Sequence, residues 1–325
     1  MDHYPKIGLR GIHEIAKRIS HEQLSYSDAL KLIRDVLMNH DLYWKDSKKY
    51  SEPEKGKFVR DAWGTKLGLL LYLINTKILK PHDHLLPAFI YGGISDQNHL
   101  KAAKALLGSK RNRRLLSLDI KSFFENVTQS RVFYFFYNKA RCKKEAAEIL
   151  ALICCVPEGK KGSGSSKRII GRGFATSPRL AIWTNLDVFQ KIYWKAKRML
   201  KKHDPRLAIY VDDIGVTASN IDEDRMKIVC ETISKTLSSD KNQPLPINPK
   251  KTKNISFREG AEHLGTKLGR NKLSVGSKSK SKLDKLIKKL GGTKSKKEKK
   301  ILINKKRAYH RYKQQIAKTN QPSKE

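Results

Sequence analysis

The sequence predicts an α+β chain in which an antiparallel sheet is backed by helices, and three observations carry that expectation. The runs Leu207–Val211 and Ile214–Ala218 are short and rich in apolar and β-branched residues, with Asp212 and Asp213 alone between them. That is a strand-turn-strand pattern. In Leu116–Ile120 apolar residues alternate with Ser117 and Asp119, the period of a buried strand. Elsewhere apolar residues recur at helical spacing, as in Leu24, Ala29, Leu30, Ile33, Val36 and Leu37.

Taken in order, residues 8–45 read as helical. The segment 48–66 is polar and basic, contains Pro53 and Gly56, and reads as a loop or hairpin. Leu67–Leu79 returns to a helical pattern, and Pro81 and Pro87 bracket a connector. After the basic entry Arg111–Arg114 comes the strand ending at Asp119, then a helical stretch, Val132–Tyr137, behind Thr128. Gly159–Lys167 is rich in Gly, Ser and Lys and reads as a mobile loop. One helix is expected over Arg179–Leu200, with Ile182, Leu186, Phe189 and Tyr193 on one stripe. From about residue 276 the chain is dense in lysine, with Leu283, Leu286, Ile287 and Leu290 as its main apolar content. It reads as a basic helical appendage with a disordered end.

The 325 residues are enough for a sizeable core and about two domains. Lys plus Arg is 69 against 31 Asp plus Glu, a net charge of +38. Self-repulsion on that scale is relieved by a polyanion, so nucleic acid is the expected partner. Charge alone does not separate an enzyme from a protein that only binds. The cysteines, Cys142, Cys154, Cys155 and Cys230, form no C-x-x-C pair. Cys154 and Cys155 sit in an apolar run and read as core thiols in a reducing cytosol. No signal pattern opens the chain, and its apolar runs are too short to span a bilayer, so a cytoplasmic protein with no membrane partner is expected.

Asp212 and Asp213 carry the chemistry. Adjacent carboxylates between apolar strands cost free energy unless a cation lies between them, and hard oxygen ligands select Mg²⁺ or Mn²⁺. Asp119 ends another apolar strand. If the two strands are neighbours, three carboxylates converge, and two metals about 4 Å apart could clamp a phosphoryl transfer. A simpler reading of any one Asp is a turn former.

Tyr210-Val211-Asp212-Asp213 is a Y-x-D-D box, and with it the sequence resembles a reverse transcriptase. Leu116-Ser117-Leu118-Asp119-Ile120-Lys121-Ser122-Phe123-Phe124 resembles that family's first catalytic motif. Gly171-Arg172-Gly173-Phe174-Ala175-Thr176-Ser177-Pro178 resembles its Q-G-x-x-x-S-P motif. Ile247-Asn248-Pro249-Lys250-Lys251-Thr252 resembles its N-x-x-K-T motif, and Glu262-His263-Leu264-Gly265 its primer-grip turn. The motifs stand in the family's order over about residues 85–275. Tyr91-Gly92-Gly93-Ile94-Ser95 with Asn98 and His99 resembles a degenerate form of a segment found in bacterial retron-type enzymes, and related defence-associated reverse transcriptases are nearly as similar.

The resemblance implies a right-hand polymerase with an antiparallel palm sheet, helical fingers and a basic helical thumb. N-terminal helices and fingers would occupy 1–110, with more of the fingers in 135–170. The palm would occupy 111–134 and 171–275, and the thumb and tail 276–325. It implies Asp119, Asp212 and Asp213 as catalytic metal ligands for two Mg²⁺ (or Mn²⁺), with the Ile120 carbonyl beside them. Phe124 stands where an aromatic ring excludes a ribose 2′-hydroxyl, the alternative being that it is core. Arg172 replaces the family's Gln, which leaves template dependence open. Gly173 would let the backbone approach the template–nucleotide pair, and Ser177 would cap the next helix. Lys251, or Lys250 by spacing, would meet the triphosphate, and Lys55, Lys57 and Arg60 are further candidates. Leu264 and Gly265 would grip the primer. The implied partners are dNTPs, a structured non-coding RNA template, an RNA–DNA hybrid product and an effector protein encoded nearby, in anti-phage defence. His82, His84, His99 and His263 read as surface or hydrogen-bonding residues. The rival readings are a non-catalytic RNA-binding scaffold of the same fold and a template-independent nucleotidyl transferase.

Overall fold

The computed structural model describes residues 4–110, 112–239, 244–292 and 295–321. Arg111 in the expected strand entry and the last four residues of the expected disordered end lie outside them.

The apolar spacing of the first forty residues gives two helices, α1 (Ile12–Ile19) and α2 (Tyr26–Asn39), the second started by Ser25, whose hydroxyl accepts from the Asp28 N–H at 3.1 Å. The basic segment after them is a hairpin of β1 (Lys45–Asp46) and β2 (Arg60–Asp61), with Lys45 opposite Asp61. Helix α3 (Lys66–Leu73) runs into a π-helical turn, Ile74–Leu79, and α4 (His99–Ala105) is capped by Asn98.

Strand β3 (Arg113–Asp119) leads to α5 (Gln129–Tyr134), α6 (Lys144–Cys154) and the pair β4 (Cys155–Pro157) and β5 (Arg168–Ile170). Cys154 and Cys155 are buried free thiols, as expected. The loop between β4 and β5 is tied down: the Lys161 N–H donates to Asp46 at 2.8 Å and its ammonium to the Asp41 carbonyl at 2.7 Å.

The single helix expected over 179–200 is two, α7 (Ser177–Trp183) and α8 (Leu186–Met199). Thr184 and Asn185 end the first by bonding the helix carbonyls of Leu180 and Ala181, each at 2.7 Å. Short polar side chains compete with the backbone ladder in this way. Nor does Ser177 cap α7; its hydroxyl donates to the Gly171 carbonyl at 2.7 Å and closes the preceding turn.

The remaining elements are β6 (Arg206–Tyr210), β7 (Asp213–Ser219), α9 (Glu223–Leu237), β8 (Lys253–Ser256), β9 (Glu262–His263), β10 (Thr266–Leu268), β11 (Leu273–Val275), α10 (Ser277–Gly292) and α11 (Lys296–Asn320). The expected disordered end is therefore helical to Asn320, whose side chain bonds both backbone groups of Leu273. Its apolar residues Leu302, Tyr309, Tyr312 and Ile316 are spaced for one helical stripe, and Leu302 and Ile316 are buried.

The central sheet runs β6-β7-β3-β8, antiparallel throughout. Alternation divides its faces. Leu116, Leu118, Ile214 and Val216 pack with Phe189 of α8 and Met226 of α9 in the larger core. Leu115 and Ala208 face the other way, into a smaller core with Leu100 of α4, Leu268 of β10 and Ile316 of α11. The chain is thus α+β with antiparallel sheets, and helices cover both faces of the central one. Among the described residues no helix is long and apolar enough to cross a membrane.

Candidate active site

The site is built at one end of the central sheet. Asp119, the last residue of β3, is paired directly with Asp213, the first of β7. Directly opposed residues of antiparallel strands project to the same face. Tyr210 also pairs with Asp213, so the turn itself is Val211–Asp212. Val211 takes a left-handed φ of 59°, costly for a β-branched residue. Its surroundings hold it there. Residues 89–92 run beside β6, with the Tyr91 N–H on the Ile209 carbonyl at 2.8 Å, and a Cβ on Gly92 would collide with the Val211 backbone. The Asp212 carbonyl accepts from the Ile120 N–H at 2.9 Å, which ties the tip to the end of β3.

Burial and like charge act together on these carboxylates. Burial, then Asp212 and Asp119 nearby, push Asp213 up to about 7. Burial, with Asp119 adding to it, also raises Asp212, although its own backbone N–H opposes the shift. Lys251 answers part of the charge: its ammonium donates to Asp119 Oδ1 at 2.6 Å, and that bond raises the lysine. The donor set is hard, anionic oxygen under mutual repulsion, which fits a divalent cation such as Mg²⁺ in kind. The carboxylates are neighbours and not a closed cage. Among the described residues no three His, Cys, Asp or Glu side chains are gathered as metal ligands.

Asp119, Asp213, Lys251, Leu264 and Gly265 line one cavity of about 370 Å³. Leu264 and Gly265, with φ of 50° and 77°, form the β9–β10 turn, and the Gly265 carbonyl accepts from the Tyr312 hydroxyl at 3.2 Å and the Gly276 N–H at 3.1 Å. Beneath the turn His263 is buried, and burial lowers it to about 4; its Nδ1 meets the Ser117 hydroxyl at 3.0 Å. It is a hydrogen-bonding residue and not a surface one.

Phe124, Arg172 and Gly173 form a second group outside that cavity. The Arg172 guanidinium lies 5.4 Å from the Phe124 ring centroid and pairs with Glu125 at 3.0 Å. Gly173, at φ 104°, is also required by the protein itself: a Cβ would strike the Arg60 carbonyl. Arg60 itself is buried, paired with Asp46 and stacked 4.9 Å from the Trp44 ring, so it braces the β1–β2 hairpin and is no free phosphate ligand. Lys55 is exposed and paired with Glu52 at 2.8 Å. Two supports escaped the sequence reading. Glu125 carries no motif, and Gly92, though quoted within one, gave no sign that it meets Val211.

A sheet end that sets Asp119 of one strand opposite Asp213 of its neighbour, with Asp212 on the adjoining turn, has the frame of a palm-type polymerase. Residues 70–302 match the family model of reverse transcriptase (RNA-dependent DNA polymerase), and the chain belongs to that family. It is similar to the Retron Ec48 reverse transcriptase of Escherichia coli, with 30% identity over 200 residues, covering 58% of this chain and 43% of that protein. The match thus spans less than half the length of that relative.

Proposed function

We propose that the chain is an RNA-directed DNA polymerase that copies a structured non-coding RNA. The observation that supports this best is the register pairing of Asp119 with Asp213, with Asp212 on the adjoining turn. In this reading Asp119, Asp212, Asp213 and the Ile120 carbonyl hold two Mg²⁺ (or Mn²⁺). The metals, when bound, supply the charge that activates a primer hydroxyl and stabilises the transferring phosphoryl group.

The protein's residues do the rest. Lys251 balances Asp119 and, with Lys250 beside it on the same cavity, would meet the triphosphate. Phe124, held by Arg172, stands against the sugar and favours dNTPs. Arg172 and Gly173 form the turn beside the templating pair. Leu264 and Gly265, bonded to Tyr312, steady the primer end. Fingers are assigned to 1–110 and 135–170, palm to 111–134 and 171–275, and a thumb to 276–325, where lysines would follow the duplex backbone. The likeness to a retron reverse transcriptase supports a retron-type reaction; an RNA–DNA hybrid product, a cytoplasmic anti-phage role and an effector encoded nearby belong to the same proposal.

One observation favours a second reading, a non-catalytic RNA-binding scaffold: the Lys251 ammonium already neutralises Asp119. Extension of a primed RNA with dNTPs or NTPs in Mg²⁺ tests the proposal. DNase-sensitive product is expected. Product from NTPs alone would overturn the DNA assignment, and template-free product would favour a terminal transferase.

A further inference from the structure

Helix α8 turns Leu186, Phe189, Ile192 and Ala196 into the core and leaves an opposite stripe of Lys191, Trp194, Lys195 and Arg198 exposed. These positions are spaced for one helical face. Trp194, at its centre, is 67% exposed. The helix carries the whole lining of a shallow open hollow of about 750 Å³, and a groove of about 520 Å³ between α5 and α8 adjoins it at Asp187 and Lys191.

This face is not the cleft already described. Leu118 and Ile214 carry the sheet face that packs on α8 and α9, whereas Asp119 and Asp213 share the opposite face with Ser117. The surroundings of the indole are also set in place. Tyr193 meets Trp194 edge-on with centroids 5.1 Å apart, Lys195 donates to the Thr236 hydroxyl at 2.9 Å, and Lys197 lies 5.8 Å from the Tyr193 ring centroid. Asp187, the acid on the stripe, is neutralised by Lys139 at 2.7 Å.

A solvated charged face gains nothing from an exposed indole. An indole framed by cations suits a ligand with a flat π-face between phosphates, namely an unstacked base of a single strand. A duplex keeps its bases stacked inside and offers none. Folded RNA presents unpaired bases in its loops, and the family copies RNA. We propose that the outer face of α8 docks an unpaired RNA loop, with one base on Trp194 and flanking phosphates on Lys191 and Arg198. This goes beyond the polymerase reading, and rests on it for the choice of RNA and for the hybrid that fills the cleft.

The test uses the full chain with its cleft filled by a saturating RNA–DNA hybrid. Binding of a fluorescent single-stranded RNA of about twelve nucleotides is then followed by anisotropy. The wild type should bind the strand alongside the hybrid. Trp194→Ala should weaken that binding about tenfold, while Trp194→Tyr, which can still stack, should stay within about threefold. Lys191→Gln with Arg198→Gln should lower the slope of log affinity against log salt by about 1.4. Unchanged hybrid binding would show that each variant is folded. Strand binding untouched by Trp194→Ala would overturn the proposal. Equal binding of DNA of the same sequence would overturn the assignment to RNA, and a Trp194→Ala effect confined to self-association would make the face a protein interface instead.

Discussion

Arg172 shows how one substitution recruits its own support. A guanidinium over Phe124 covers the ring and, bonded to Glu125, cannot swing away without leaving a partly buried carboxylate unpaired. If Phe124 is the sugar gate, Glu125 governs how firmly the ring is held. Glu125→Ala should reduce the preference for dNTP over NTP by about tenfold, read as the ratio of kcat/KM values. Phe124→Ala should reduce it further. An unchanged ratio in Phe124→Ala would remove the gate, whereas a change there but none in Glu125→Ala would remove only the clamp. At this scale the residues that the motifs name were legible as a group, because Asp119, Asp212, Asp213 and Lys251 do meet at one sheet end. Their partners were not. Glu125 and Arg172 are far apart in sequence, and only the fold brings that pair into contact.

At the scale of elements, the acid hairpin is held by its neighbours more than by its own turn. Gly92 has no room for a Cβ beside Val211, so Gly92→Ala should displace the tip. The expected cost is about 1–3 kcal/mol of stability, with a larger loss of incorporation than of duplex binding. Thermal unfolding and steady-state kinetics check it; equal losses in both would contradict it. His263 links the smaller core to pH. Its folded pKa is depressed to about 4, so between there and the ordinary value near 6.5 the unfolded chain binds the proton that the folded one excludes. Stability is therefore present above about 6.5 and falls as pH drops toward 4, by at most roughly 3 kcal/mol from this group. His263→Asn should flatten that slope in thermal unfolding across the window, and an unaltered slope would contradict the assignment. The strands were readable because alternation and the turn residues agreed. The split of α7 from α8 was not, since Thr184 and Asn185 interrupt no apolar stripe; the Asn185 amide takes the Ala181 carbonyl, and its backbone N–H turns to Ile182 instead. The stripe of α11 was present in the sequence and hidden by lysine.

Over the whole molecule, the +38 charge and the acidic sheet end belong to one design. A chain this basic binds nucleic acid without chemistry, and three acids at one sheet end are a burden to a scaffold: Asp213 is held near 7 by burial and its neighbours. That energetic cost makes sense where a divalent cation relieves it. Composition therefore pointed to a polyanion and the motifs to the family, while the second basic face on α8 emerged only when the sheet's two sides were known. The most direct test compares wild type with Asp212→Asn/Asp213→Asn, each purified with the RNA it carries and supplied with Mg²⁺ and labelled dNTPs. The account predicts DNase-sensitive product from the wild type. It predicts at least a thousandfold less from the variant, on the order of 4 kcal/mol of lost transition-state stabilisation, with the amount of bound RNA unchanged. Equal product from both, or bound RNA with no product from either, would contradict it.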